Sequence, residues 1–316
     1  MDTTLKKRLL YILQISIGLA LVVWILMQVD QEQFFAYFSN IHEYKVMFIL
    51  VLSVLSLVIQ FRRWRYLIEK YSNHYDLRDL LPSFFAGFTF RIIIPGGPAE
   101  FSKIFMLPGK KRGKILAFGM EKVFLTLIKL MAILIVLPLS FPKYSIYCFA
   151  LFVVLVIAYI FIPRLPYLKD WQEKDVNYHV VFVNNVIFSL GIFVVMGLQY
   201  YILINQVDVI SLAATFHTSV YLWCAGMVPI SISGLGVREG LAVYFFRLYG
   251  VSPANAVATS LFLFVINTIF PALIGTYFIY KKRSHFREIK GSIKSTREII
   301  ASVRRNRKSE DNSAEN

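Results

Sequence analysis

Apolar residues fall along this chain in long blocks separated by short stretches rich in Lys, Arg, Gly and Pro. A bilayer crossing needs roughly 20 apolar residues. The blocks at about 9–29, 44–61, 115–139, 144–162, 180–204 and 254–280 meet that requirement and predict full spans. The segment Leu80 to Ile94 is too short to cross and runs into Pro95-Gly96-Gly97-Pro98. Basic residues flank it on both sides, Arg62, Arg63, Arg65, Lys70 and Arg78 before it and Lys110 to Lys114 after it. Two basic flanks belong on one side of a membrane, so this segment reads as re-entrant. Residues 209–250, interrupted from Ser231 to Gly240, read as a second re-entrant segment entering from the opposite side. The expected fold is an all-α polytopic membrane protein with six full transmembrane helices and two re-entrant broken helices, or eight spans if the broken helices are counted.

Composition agrees with this reading, at 57% hydrophobic and 17% charged residues. The net charge of +15 sits mostly in short loops and at the termini, a placement that suits an anionic membrane face and not nucleic acid. It predicts a bacterial-type inner (plasma) membrane protein with both termini cytoplasmic. Lys6, Lys7 and Arg8 precede a block too long for a signal peptide's apolar core, and no small-residue cleavage site follows, so a retained first span is expected. The membrane domain is expected over 1–280. A basic tail over 281–316 follows, with Phe286, Ile289, Ile293, Ile300 and Val303 at near-helical spacing predicting a surface amphipathic helix before a disordered end.

Laid on one another, segments 44–140 and 180–280 align Gly97 with Gly236, Glu100 with Glu239, and Gln60 with Gln199. Both follow the order span, short apolar arm, Gly-rich break, Glu, long span. With opposite orientations they predict an inverted repeat, an arrangement that lets transporters open a central site to each side in turn.

The candidate chemistry lies in the two breaks. Gly97 in the first, and Gly234 and Gly236 in the second, allow backbone N–H groups to converge on an anion at a helix N-terminus. Arg238 is the first choice for contact with a phosphate, with Arg91 and Lys103 supplying charge near the first break. Glu100 and Glu239 are candidates for gating, for binding a cationic headgroup or for proton exchange. The alternative is that each Glu stabilises the start of its own helix and Arg238 pairs with a Glu. Glu121 and Lys122 are candidates for the same path or for a self-neutralising pair. His42, His74, His179, His217 and His285 show no metal-ligand spacing, and Cys148 and Cys224 lie inside apolar runs. No cofactor, metal or catalytic constellation is indicated.

Gly234-Leu-Gly-Val-Arg-Glu-Gly240, followed by Gly250-Val251 and a span containing Asn267, resembles the flippase-like family named after the lysylphosphatidylglycerol synthase transmembrane region. Pro95-Gly-Gly-Pro-Ala-Glu100 and Glu121-Lys122 fit that family's first half, with Ala99 where a Gly often precedes the Glu. The resemblance covers about 9–280 and implies the lipid-moving half of such proteins without the soluble aminoacyl-transferase domain. The function it implies is a membrane lipid translocase for a phospholipid, aminoacylated lipid or polyprenyl-phosphate-linked lipid, with an anionic or phosphate-containing headgroup as substrate and a homo-oligomer as a compatible state. The alternative is an integral-membrane enzyme or accessory subunit acting on a lipid-linked substrate.

Overall fold

A computed structural model describes Ser16, Ala20 and residues 22–93, 97–109, 112–162, 175–227 and 234–281. Most of the first expected span, Pro95 and Gly96, Lys110 and Lys111, residues 228–233 and nearly all of the basic tail lie outside the described residues. The described chain is helical, with no strand among those residues. Residues 22–28 are helical, followed by α1 (Gln31–Ser39), α2 (Glu43–Tyr71), α3 (Leu77–Ile93) and a 3-10 helix (Gly97–Met106). Next come α4 (Arg112–Ser140), α5 (Ser145–Phe161), α6 (Tyr178–Ile204), α7 (Leu212–Ala225) and α8 (Val237–Arg247). The described chain ends with α9 (Pro253–Phe264), a π turn (Val265–Ile269) and α10 (Phe270–Lys281).

Five helical stretches are long and apolar enough to cross a membrane, Glu43–Tyr71, Arg112–Ser140, Pro142–Phe161, Tyr178–Ile204 and Pro253–Lys281. They coincide with five of the six expected spans. The protein is therefore an all-α, multi-pass membrane protein. In the apolar windows of these spans, burial ranges from 56% in Pro253–Lys281 to 6% in Pro142–Phe161, so α9 and α10 form the centre and α5 lies at the periphery. Small residues explain the centre, because Ala254, Ala256, Ala258, Thr259 and Ser260 let neighbouring backbones approach closely. At Gly275 a Cβ would lie 2.1 Å from the Phe85 carbonyl oxygen, so only glycine permits this crossing of α10 with α3.

Helices α2 and α6 run antiparallel, with Ser53 bonded to Gln199 near one end and the tilted rings of Tyr66 and Phe188 6.0 Å apart towards the other. Each is followed by a helical hairpin. In the first, Ser83 Oγ donates to the Lys103 carbonyl at 2.7 Å and Arg91 pairs with Glu100, so the 3-10 helix doubles back along α3. The hairpin closes where it opened, because Gly113 at the start of α4 packs on the Tyr71 carbonyl at the end of α2. In the second, the rings of Tyr221 and Phe245 stack at 3.7 Å and Tyr249 bonds His217, so α8 doubles back along α7. It closes beside the end of α6, where Asp208 accepts from the Ser252 N–H and the Asn255 side chain. The hairpins thus enter from opposite ends of the α2–α6 pair. Arm α3 packs on α10, with Thr89 Oγ1 donating to the Ala272 carbonyl, and arm α7 packs on α4, where Tyr221 bonds Ser140.

Two expectations are corrected here. Helix α2 continues to Tyr71 with Trp64, Leu67 and Ile68 fully buried, so Arg63 is not in a solvated basic loop but in the interior at 7% exposure. Lys114, also expected in a basic loop, is buried and donates to the carbonyls of Leu107, Pro108 and Gly109, which the end of the 3-10 helix leaves open.

Candidate functional site

A cluster in the first half joins six charged side chains from four elements: Arg63 of α2, Arg91 of α3, Glu100 and Lys103 of the 3-10 helix, and Glu121 and Lys122 of α4. Glu100 accepts from Arg91 through Oε1 and from Lys122 through Oε2. Glu121 accepts from Arg63 through Oε1 at 3.3 Å and from Lys103 through Oε2 at 2.5 Å. Two cation–carboxylate–cation triads therefore lie side by side. The adjacent residues Glu121 and Lys122 belong to different triads because neighbouring positions on a helix point about 100 degrees apart.

Each partner arrives by a local structural cause. The return of the 3-10 helix along α3 sets Glu100 opposite Arg91 and brings the Lys103 stem against Gly87, where a Cβ would sit 3.4 Å from Lys103 Cδ. Lys103 Nζ also lies 3.7 Å from the centre of the Trp64 ring, a cation–π contact that helps to hold a buried ammonium. Glu121 and Arg63 lie within the stretches Arg112–Ser140 and Glu43–Tyr71, which are long and apolar enough to cross a membrane. A charge inside a membrane segment is costly, and pairing offsets part of that cost.

A cavity of about 30 Å³ opens among Gln60, Arg63, Gly87, Arg91, Glu100, Lys103 and Glu121. That is room for about two water molecules, and a lipid headgroup requires the site to widen. Arg63 and Lys103 line it from the buried side and Arg91, about one-third exposed, from its mouth, while Lys122, exposed to a similar degree, joins through its pair with Glu100. The Nε of Arg63 is buried and has no hydrogen-bond partner among the described residues.

The second break builds a different cluster. Gly234 and Gly236 adopt positive φ, 82° and 84°, a conformation that favours glycine. Gly236 caps α8, and its N–H donates to Glu239 Oε2 at 2.6 Å. Arg238 donates from Nη2 to Glu239 Oε1 at 2.7 Å and from Nε to Ser260 Oγ at 3.0 Å. Ser260 Oγ in turn donates to Glu239 Oε1 at 2.9 Å. The guanidinium is thus committed to its neighbour in sequence, and the carboxylate to the start of its own helix.

The structure brings together Arg91, Glu100, Lys103 and Glu121 around one cavity, adds Arg63, and ties Lys122 to them through Glu100. It places Gly234, Gly236, Arg238 and Glu239 in the second cluster, and their hydrogen bonds and ion pairs share no residue with the first among the described residues. Gly97 opens the 3-10 helix. A polar chain lies between the halves, in which Asn267 of the π turn donates to Gln199 at 2.9 Å and Gln199 donates to Ser53 at 2.8 Å. Lys129 of α4 donates to the Trp223 carbonyl in the last turn of α7 at 2.6 Å, tying the tip of the second hairpin to the first half. Neither Arg63 nor Lys129 was singled out from the sequence as a site residue. Among the described residues, no group of three or more His, Cys, Asp or Glu is placed to hold a metal ion.

The family model described as "Lysylphosphatidylglycerol synthase TM region" matches residues 11–275. The chain belongs to this family. Neither a curated protein nor a solved structure matches the chain significantly. The match to the family's membrane region takes in both hairpins and every charged residue described above, and family membership connects the chain with membrane lipids.

Proposed function

We propose that this protein is a membrane lipid translocase that moves a phosphate-containing lipid between leaflets of a bacterial-type inner membrane, with both termini cytoplasmic. The observation that carries the reading is the pair of charge triads beside a small polar cavity, built on helices long and apolar enough to cross a membrane and on the hairpin between them. A helical membrane protein has no structural need for six charges there, because apolar residues of similar volume pack as well or better. Such residues in membrane segments mark substrate paths.

The hairpins entering from opposite ends support an inverted repeat over about 44–140 and 180–280, whose two halves exchange roles as the site opens first to one leaflet and then to the other. In that cycle the first cluster holds the headgroup and the second fixes the tip of the opposing hairpin. The swapped packing of α3 on α10 and α7 on α4 couples the two.

The test is exchange of a fluorescent phospholipid between leaflets of proteoliposomes, read by bleaching the outer leaflet. The protein is expected to accelerate exchange over empty vesicles, and Lys122→Gln, which removes the partly exposed cation paired with Glu100, to slow it. No acceleration with any phosphate-bearing lipid contradicts the reading.

A further inference from the structure

Resting on the translocase reading, we infer that the first-half cavity takes a headgroup ending in a doubly charged phosphate, a phosphate monoester or diphosphate, in preference to a singly charged phosphodiester. The argument begins with charge. Four cations, Arg63, Arg91, Lys103 and Lys122, face two carboxylates, Glu100 and Glu121, which leaves two positive charges unmatched. Among the described residues, every cation of the cluster pairs with Glu100 or Glu121 and with no third acid.

Bonding capacity leads to the same conclusion. Both oxygens of each carboxylate are taken, one cation to each. The cations retain spare donors, because a guanidinium has five N–H groups and an ammonium three. Arg63 makes this concrete, since it lines the cavity at 7% exposure and its Nε has no hydrogen-bond partner among the described residues. An acceptor-rich anion would use such spare donors. A phosphate monoester presents three terminal oxygens and a charge near −2 above its second ionisation at about pH 6.

Such a group would reach the partly exposed Arg91 and Lys122 first, and the buried Arg63 and Lys103 after them. It brings the cluster to neutrality. A phosphodiester brings one negative charge and leaves one cation buried without a counter-charge, which low-polarity surroundings penalise. An aminoacylated headgroup carries a further positive charge and fits worse.

The test is binding to the purified full-length protein at pH 8, measured by native mass spectrometry and by thermal shift. The probes are short-chain phosphatidic acid, a monoester, short-chain phosphatidylglycerol, a diester, and inorganic phosphate. The monoester lipid is expected to bind at least about tenfold more tightly than the diester. Arg63→Gln and Arg91→Gln are each expected to erase most of that preference. Arg91→Gln lies at the partly exposed mouth and keeps the test decisive if Arg63→Gln does not fold.

Equal binding of the two lipids overturns the inference without touching the leaflet-exchange result. A monoester preference in a protein that exchanges no lipid supports the charge assignment and overturns the translocase reading. Inorganic phosphate binding as tightly as the monoester lipid, and competing with it, overturns the assignment to a lipid headgroup. An unchanged preference in folded Arg91→Gln overturns the site.

Discussion

Arg63 on α2 and Glu121 on α4 meet in the interior at 3.3 Å, and Glu121 gives its other oxygen to Lys103 at 2.5 Å. One carboxylate therefore pairs with cations from two elements, and it ties α2, α4 and the 3-10 helix together.

Glu121→Gln removes the only carboxylate paired with Arg63 and Lys103 among the described residues and leaves two buried cations uncompensated. The expected loss is about 3 to 5 kcal/mol, the usual cost of breaking a buried pair from one side. Thermal unfolding in detergent checks it. Adding Arg63→Gln to Glu121→Gln is expected to restore part of the loss, because it withdraws one of the two stranded charges.

Gly275→Ala places a methyl group 2.1 Å from the Phe85 carbonyl oxygen and 2.4 Å from Thr89 Oγ1, so α10 must move off α3. The expected cost is about 1 to 3 kcal/mol, as for overpacking elsewhere. Gly119→Ala is the control, since nothing lies within 4 Å of the added group. In mid-helix it is expected to be neutral or stabilising by up to about 1 kcal/mol. The two variants should separate clearly in an unfolding experiment.

Lys129→Gln removes the ammonium that binds the Trp223 carbonyl and the last turn of α7. Cys224, buried beside it with Sγ 3.5 Å from the Lys129 carbonyl oxygen, reports the consequence. In a Cys148→Ser background, a thiol reagent is expected to label Cys224 at least several-fold faster in the variant. Unchanged labelling means that the second hairpin tip does not depend on this contact.

Glu239→Gln is expected to destabilise the protein more than Ser260→Ala. Glu239 is fully buried and serves both the Gly236 N–H and the Arg238 guanidinium, so its loss strands a buried cation, at about 3 to 5 kcal/mol. Ser260 contributes ordinary hydrogen bonds, each worth about 1 kcal/mol. Parallel unfolding curves measure the difference.

Much of this architecture was legible in hydropathy alone. Five spans and both hairpins follow from block length and from where Lys and Arg cluster, because the bilayer imposes both. Arg63 escaped because hydropathy registers where an apolar block ends, not where its helix ends. The helical spacing of Trp64, Leu67, Ile68 and Tyr71 beyond the block was the available signal, and it places Arg63 beside a buried face. Glu121 and Lys122 were singled out, but their separate partners depend on how the 3-10 helix folds back, which no local pattern encodes. Arg238 drew attention as an Arg suited to a phosphate in a glycine-rich break. Its partner is the next residue, so the sequence alone left open whether Glu239 satisfies it or both face a ligand.

The most direct measurement is the position of the headgroup in a density map of the protein saturated with short-chain phosphatidic acid. The phosphate is expected between Arg63, Arg91, Lys103 and Lys122, in a cavity widened well beyond its present 30 Å³. A phosphate held instead at Gly234 to Glu239, with both triads still closed and the first cavity unchanged, would contradict the account.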